Sequence, residues 1–219
     1  SCMHTATAVV TKSYWPLPTS RFIDISRGRH LSKFRSIIRL IRPSQWVKNL
    51  FVFAGLLFNR SYSDWPVVHS VLLTFVAFCL VASAVYVFND IADADQDRNH
   101  PKKRARPIAS GAVTVRQAYL LVAGLLTAGF FVGWSASVSA LPILVAYLLL
   151  NIAYSLGLKK VVILDVFIIA SGFLLRILAG TIGVGMEPSE WLFLCSLCLT
   201  LFLGFGKRRA ELLETVNGN

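Results

Sequence analysis

Long apolar blocks separated by short polar segments run through most of the chain. Six blocks are candidate membrane-spanning helices, at about residues 44–59, 67–89, 117–135, 138–157, 161–183 and 190–206. A helix needs about 20 predominantly apolar residues to cross a bilayer. The first block is the weakest, because Lys48 and Asn49 interrupt its short apolar part. The pattern predicts an all-α protein, a polytopic transmembrane helical bundle.

Composition and charge support a membrane location. The chain has 219 residues, of which 55% are hydrophobic and only 15% are charged, whereas a soluble domain has about 25% charged residues. If all six blocks cross and the N-terminus is cytoplasmic, nearly all of the 22 lysines and arginines face the cytoplasm. Such an asymmetry is typical of membrane proteins. The basic run 102–104 joins two membrane helices, so we expect no nucleic-acid partner.

The charge pattern also suggests how the chain is organised. We expect residues 1–28 to be a disordered or artificial tail, residues 43–213 to form the transmembrane domain, and residues 214–219 to be a second tail. Residues 29–42 alternate cationic and apolar side chains. This basic interfacial segment is either an amphipathic helix on an anionic leaflet or a positive flank of the first span.

Aspartates crowd the end of the second apolar block. If the helix continues through them, one face carries four oxygen-bearing side chains within an arc of roughly 100°: Asn89, Asp90, Asp93 and Asp97. Asp95 points away. Carboxylates this close repel each other unless a cation neutralises them, and Mg²⁺ is usually held by a few such oxygens together with substrate phosphates. The alternative is a solvated acidic helix end, but a basic run that includes Lys102 and Arg106 follows at once.

A second polar patch is expected on the same side of the membrane. It contains Asn151, Tyr154, Ser155, Lys159, Lys160 and Asp165. Arg176 lies about three turns deeper than Asp165 and either binds helix carbonyls or reaches a lipid-borne phosphate. Lys48 either extends to the interface or faces an internal polar cavity.

The chain resembles the UbiA superfamily of polytopic prenyl-group enzymes at these residues. The match is carried by Asn89-Asp90-x-x-Asp93-x-x-x-Asp97 and by the following Arg104-Ala105-Arg106-Pro107-Ile108-Ala109-Ser110-Gly111. The second motif, Tyr154-Ser155-Leu156-Gly157-Leu158-Lys159 with the single acid Asp165, lacks the second acidic pair of the aromatic prenyltransferases. Together with segments 42–49 and 206–212, it makes the chain most similar to the branch of phosphoribosyltransferases that act on decaprenyl phosphate. The resemblance covers about residues 35–213.

The resemblance implies a reaction and a set of functional residues. The reaction is Mg²⁺-dependent transfer of 5-phosphoribosyl from phosphoribosyl diphosphate to a polyprenyl phosphate, at the cytoplasmic face of a bacterial cytoplasmic membrane, with release of diphosphate. The implied metal ligands are Asn89, Asp90, Asp93 and Asp97, with Asp93 and Asp97 also catalytic. The implied substrate-binding residues are Lys48, Asn49, Lys102, Arg106, Tyr154, Lys159 and Asp165. Because full members have roughly nine spans, we expect C-terminal truncation, and we consider a homo-oligomer possible.

Two other functions remain open at this point. An aromatic prenyltransferase of the same fold would carry a second acidic cluster. A transporter or lipid-binding protein would place polar residues across the whole membrane, whereas here they gather on one side, with Arg176 as the main exception.

Overall fold

The computed structural model describes residues 33–101, 103–157 and 162–217, and every regular element in these ranges is a helix. Residues 33–41 form α1, and a 3₁₀ helix follows at Pro43–Phe53. The other α-helices are α2 (Ala54–Phe58), α3 (Trp65–Ala92), α4 (Ala94–Arg98), α5 (Val115–Ala136), α6 (Ala140–Leu156), α7 (Val162–Ala179) and α8 (Glu190–Asn217), and short 3₁₀ helices lie at Ser61–Ser63, Lys103–Ala105 and Ile182–Val184. The predicted all-α class is confirmed. The predicted N-terminal tail, residues 1–28, lies entirely outside the described residues.

Four helical stretches are long and apolar enough to span a bilayer: Trp65–Ala92, Val115–Ala136, Leu164–Val184 and Glu190–Ala210. The apolar helix α6 is shorter, with 17 residues. The predicted first span, 44–59, is helical, but the 3₁₀ helix and α2 divide it. Large apolar side chains such as Phe131, Trp134 and Phe202 are exposed, as expected for surfaces that face lipid. The chain is an integral membrane protein.

Helix α3 is the centre of the bundle and packs against α5, α6 and the 3₁₀ helix. Its buried side chains, among them Phe78 and Val81, form the main core. The pair Gly129 and Gly133, spaced as a small-residue packing site, lies where α5 meets its neighbours. An added Cβ at Gly129 would overlap the side chain of Val81, and one at Gly133 would overlap Leu144.

A second, smaller core fixes the connection between α4 and α5. Ile108 and Val113 of this connection are buried against Val87 of α3 and Leu40 of α1. Helix α5 then begins with a capping box, in which Thr114 and Gln117 exchange side-chain and backbone hydrogen bonds. The connection is therefore anchored by a buried apolar cluster and by the start of α5, and it holds Arg106 at a defined place.

Gly180 lies directly against the backbone of the 3₁₀ helix at Val52. A Cβ at Gly180 would overlap the carbonyl oxygen of Val52, a backbone atom that cannot move away by a rotamer change. We expect Gly180→Ala to destabilise the solubilised protein by about 3 kcal/mol, as overpacking does. Thermal unfolding in detergent would measure the effect. The matched control is Gly124→Ala, because open space surrounds Gly124 and alanine favours the helix by about 1 kcal/mol. Equal melting temperatures for the two variants would contradict the close contact between Gly180 and Val52.

Candidate active site

A bridge of two arginines and two aspartates lies where α3 ends. Arg42 Nη2 donates to Asp90 Oδ1 at 2.6 Å. Arg106 Nη1 donates to both carboxylates, at 3.2 Å to Asp90 Oδ1 and 2.7 Å to Asp97 Oδ2. Both aspartates are 3% exposed. Buried carboxylates need such partners, and here two positive charges balance two negative ones.

Arg42 reaches this bridge from an unusual backbone conformation. It separates α1 from the 3₁₀ helix and has φ 53° and ψ 60°, in the left-handed region. For a residue with a side chain this conformation costs roughly 1–2 kcal/mol. The guanidinium also lies 5.4 Å from the centre of the Tyr86 ring. Strain of this kind tends to persist at functional sites, so Arg42 is a candidate functional residue.

The acid face survives although the helix is interrupted. Helix α3 ends at Ala92, and Asp93 caps it before α4 begins. The backbone N–H of Asp93 still donates to the Asn89 carbonyl, and that of Asp97 to the Asp93 carbonyl. The helical spacing is thus kept across the break. Asp95 points outward, where it accepts from Arg98 at 2.9 Å.

The acid face opens on a polar cavity of about 580 Å³, which we call the mouth cavity. Its lining combines oxygen donors with basic groups: Asn89, Asp93, Gln96, Asp97, His100, Lys103, Arg106 and Tyr154. The side-chain oxygen of Asn89 is buried and has no hydrogen-bond partner in the described part of the chain. A side-chain oxygen that accepts no hydrogen bond and lies beside two carboxylates is well placed to bind a cation.

The donor set fits Mg²⁺ better than a metal that needs an all-protein cage. Among the described residues, no three His, Cys, Asp or Glu side chains are grouped closely enough to hold a metal ion alone. Mg²⁺ usually takes only one or two carboxylates and completes its shell with water and substrate phosphates. Asn89, Asp93 and Asp97 could supply such a partial shell.

Asp90, which the sequence predicts to be a metal ligand, lines a different cavity from Asn89, Asp93 and Asp97. It does not line the mouth cavity; it faces a smaller cavity of about 240 Å³ that Arg39, Arg42 and Arg106 also line. One residue along a helix turns the side chain by about 100°, so Asn89 and Asp90 face different spaces. Asp90 therefore orients the two arginines of the bridge.

A second cavity of about 530 Å³, which we call the inner cavity, lies beside the first. Its lining mixes cationic, aromatic and aliphatic side chains: Arg42, Lys48, Tyr86, Asn89, Tyr147, Asn151, Tyr154, Ile168, Ile169, Gly172, Phe173, Arg176, Thr200 and Gly204. Asn89 and Tyr154 line both cavities. These two side chains therefore mark where groups bound in the two cavities would meet.

Tyr154 is held in place by Asp165. The Tyr154 hydroxyl donates to Asp165 Oδ1 at 2.8 Å, and Arg208 Nη2 lies 3.7 Å from the other carboxylate oxygen. Asp165 is 5% exposed and is absent from the described lining of both cavities. Asp165 thus positions the Tyr154 hydroxyl, and its predicted contact with substrate stays a prediction.

Asn49, a predicted substrate-binding residue, is buried and contacts two other side chains. It is 1% exposed, donates to Cys79 Sγ at 3.3 Å and accepts from Arg176 Nε at 2.7 Å. Both ends of its amide are thus occupied, so it orients Arg176. Arg176 donates in addition to the Gly172 carbonyl at 2.7 Å, which confirms the predicted contact with a helix carbonyl.

The remaining predicted residues divide into two groups. Lys48 and Arg106 line the cavities, whereas Lys102 and Lys159 lie outside the described residues. The cavities are also lined by residues that were not predicted as site residues from the sequence: Arg42, Gln96, His100, Lys103 and Tyr147. His100 and Lys103 were close to the aspartates in sequence and could have been selected on that ground. Tyr147 gave no local signal, because it lies inside an apolar helix.

The fold and the site define a polytopic membrane protein with two adjoining cavities at the end of its central helix, one polar and one of mixed polar and apolar lining. Residues 49–210 match the UbiA prenyltransferase family, and the chain belongs to that family. The decaprenyl-phosphate phosphoribosyltransferase of Mycolicibacterium smegmatis is 39% identical over 182 residues, which cover 80% of this chain and 57% of the relative. The chain thus spans little more than half of that relative's length.

Solved structures show the same fold. A structure of digeranylgeranylglyceryl phosphate synthase superposes with a TM-score of 0.69 at 27% identity, covering 85% of this chain and 64% of the other. A UbiA homolog from Archaeoglobus fulgidus, bound to DMAPP and Mg²⁺, superposes with a TM-score of 0.64 at 20% identity. That match covers 76% of this chain and 60% of the homolog.

Proposed function

We propose that the protein transfers 5-phosphoribosyl from phosphoribosyl diphosphate to a polyprenyl phosphate in a Mg²⁺-dependent reaction, releasing diphosphate at the cytoplasmic face of the membrane. One observation carries the proposal. Asn89, Asp93 and Asp97 share the mouth cavity with Lys103 and Arg106. Oxygen donors for a cation, set beside cations for phosphate, are what a metal-bound diphosphate requires.

The relatives support the choice of substrates. The relative from Mycolicibacterium smegmatis is named for phosphoribosyl transfer to decaprenyl phosphate and is 39% identical over the shared region. The homolog from Archaeoglobus fulgidus is described with a prenyl diphosphate and Mg²⁺ bound, so this fold accommodates a metal and a diphosphate together. The basic loops support the proposed orientation, because loops rich in lysine and arginine favour the cytoplasmic side of a membrane.

The mouth cavity would hold the donor. Asn89, Asp93 and Asp97 would hold Mg²⁺, which when bound would supply neutralisation of the charge that develops on the leaving diphosphate. Lys103 and Arg106 would donate charge-assisted hydrogen bonds to phosphate oxygens. Asp97 already accepts from Arg106 at 2.7 Å, so this contact holds the guanidinium at the cavity wall.

The chemistry needs positioning more than a strong base. A phosphate oxygen of the acceptor forms a bond to C1 of the ribose, while the bond from C1 to diphosphate breaks and diphosphate leaves with the electron pair. The acceptor is already an anion, so no proton must be removed to make it a nucleophile. The catalytic contribution of the protein is to align the reactants and to stabilise charge.

The experiment that tests this function compares two reactions in membranes that contain the protein. One arm offers labelled phosphoribosyl diphosphate and a polyprenyl phosphate with Mg²⁺; the other offers a polyprenyl diphosphate and an aromatic acid such as 4-hydroxybenzoate. We expect a lipid-soluble product to form only in the first arm. Product in the second arm alone would instead assign the protein to aromatic prenyl transfer.

Tyr154→Phe tests the boundary between the two cavities. The change removes the hydroxyl that donates to Asp165 and leaves the ring. Because a hydrogen bond to a charged group contributes roughly 1.5–3 kcal/mol, we expect kcat/KM to fall about tenfold or more. The matched control is Tyr119→Phe, since Tyr119 is exposed on α5 and should leave the rate unchanged. Equal rates for the two variants would contradict a role for the Tyr154 hydroxyl.

A further inference from the structure

We propose that the inner cavity binds the phosphate monoester of the lipid acceptor, and that Arg176 is its principal ligand. That the acceptor is a polyprenyl phosphate rests on the proposed function. That the inner cavity prefers a lipid phosphate without a bound metal rests on the lining of the cavity itself. The evidence is a buried cation without a carboxylate partner, in a cavity without a carboxylate in its described lining.

Arg176 is a buried charge whose known partners are all neutral. Its side chain is 5% exposed, and it makes no ion pair with a carboxylate within the described part of the chain. Its hydrogen bonds go to the Asn49 amide, the Gly172 carbonyl and the Tyr147 hydroxyl, at 2.7–2.9 Å. A charge inside a membrane protein is unfavourable without a counterion and usually marks a functional site.

The guanidinium has donors left over and is held in one orientation. An arginine has five N–H groups, and the three bonds above use one each on Nε, Nη1 and Nη2. The other two N–H groups have no acceptor among the described residues. The guanidinium carbon lies 4.8 Å from the centre of the Tyr147 ring and 5.5 Å from that of Phe173. A fixed fork with two open donors is suited to a phosphate.

The two cavities differ in a way that separates two kinds of phosphate. The mouth cavity contains Asp93 and Asp97, which would repel a phosphate unless a cation lies between them. The described lining of the inner cavity contains Arg42, Lys48 and Arg176 and no carboxylate. A phosphate that carries no metal is therefore attracted to the inner cavity, whereas a metal-bound diphosphate suits the mouth cavity.

The rest of the inner cavity suits a lipid. Ile168, Ile169 and Phe173 of α7 line it together with the cations, and they offer apolar surface to the first units of a polyprenyl chain. Asn89 and Tyr154 connect it to the mouth cavity. A phosphate on Arg176 and a ribose in the mouth cavity would thus approach each other at these two side chains.

The test measures lipid binding without any donor, so it does not depend on turnover. The protein, solubilised in detergent, is titrated with a fluorescent polyprenyl phosphate and, separately, with the uncharged polyprenol of the same length. The variants are Arg176→Met and Arg176→Lys. The control is Arg116→Met, because Arg116 is exposed on α5 and lines neither cavity.

We expect the phosphate lipid to bind at least tenfold more tightly than the alcohol, and Arg176→Met to remove that preference. Arg176→Lys should keep part of it, and Arg116→Met should keep all of it. Equal binding of the two lipids by the unaltered protein, or a preference that survives in Arg176→Met, would overturn the inference. Size-exclusion profiles exclude misfolding; should Arg176→Met fail to fold, Lys48→Gln replaces it, with the same expected loss of preference.

A kinetic measurement separates this inference from the proposed function. In Arg176→Lys, the KM for polyprenyl phosphate should rise at least fivefold while the KM for phosphoribosyl diphosphate stays the same. A rise in the donor KM alone would assign Arg176 to the donor and overturn the inference. If no phosphoribosyl transfer occurs but the phosphate preference depends on Arg176, the inference stands and the proposed function fails.

Discussion

Asp93→Asn should abolish Mg²⁺-dependent phosphoribosyl transfer, with a loss of roughly 10³-fold or more in kcat. Asp93 lines the mouth cavity next to the unpartnered amide oxygen of Asn89. Removing one negative charge from a partial cation shell weakens Mg²⁺ binding and leaves the diphosphate charge less neutralised. The variant keeps the size of the side chain, so the fold should not change.

The measurement is transfer of labelled ribose into lipid over a range of Mg²⁺ concentrations. The matched control is Asp95→Asn, because Asp95 lies two residues away, has a side chain 92% exposed and pairs with Arg98. We expect the control to transfer at the unaltered rate. Loss of activity in both variants would show that the acidic segment acts through its overall charge and would contradict a metal site on one face.

Arg106→Met should reduce both stability and activity. Arg106 is the only described residue that bridges Asp90 and Asp97, at 3.2 and 2.7 Å, and both carboxylates are buried. A buried charge that loses its partner destabilises a protein by about 3 kcal/mol or more. Transfer should also fall by roughly 10²-fold, because a charged hydrogen bond to the leaving phosphate is lost.

A double variant separates the two effects of Arg106. In Arg106→Met combined with Asp97→Asn, the buried charge that lost its partner is gone, so the melting temperature in detergent should partly recover. Activity should not recover, because both changed residues line the mouth cavity. Arg104→Met serves as the control, since Arg104 is exposed in the same connection. If the second substitution lowered stability further, the ion pair would not be the cause of the first loss.

Local sequence patterns were sufficient to predict the helices and the acid face. Apolar blocks of membrane length predicted α3, α5, α7 and α8, because the thickness of the bilayer sets how many apolar residues a spanning helix needs. The spacing of Asn89, Asp93 and Asp97 predicted a common face, and backbone bonds across the break at Asp93 keep that spacing. Such features depend on neighbours three or four residues away.

Contacts between distant segments could not be predicted in this way. Arg42 meets Asp90 across 48 residues, and Arg176 meets Asn49 across 127. Both contacts depend on how the N-terminal segment packs on α3 and α7, which no short pattern encodes. No short pattern indicates the side chains that three predicted ligand-binding residues contact. Asp90 contacts Arg42 and Arg106, Asn49 contacts Arg176, and Asp165 contacts Tyr154.

The most direct test of the proposed phosphoribosyl transfer is an assay with a doubly labelled donor. Phosphoribosyl diphosphate would carry one label in the ribose and another in the terminal phosphate of the diphosphate. The reaction would use membranes that contain the protein together with polyprenyl phosphate. We expect the ribose label to enter the lipid fraction only when Mg²⁺ is present, and the diphosphate label to stay in the aqueous fraction. Both labels in the lipid fraction, or neither in the presence of Mg²⁺, would contradict it.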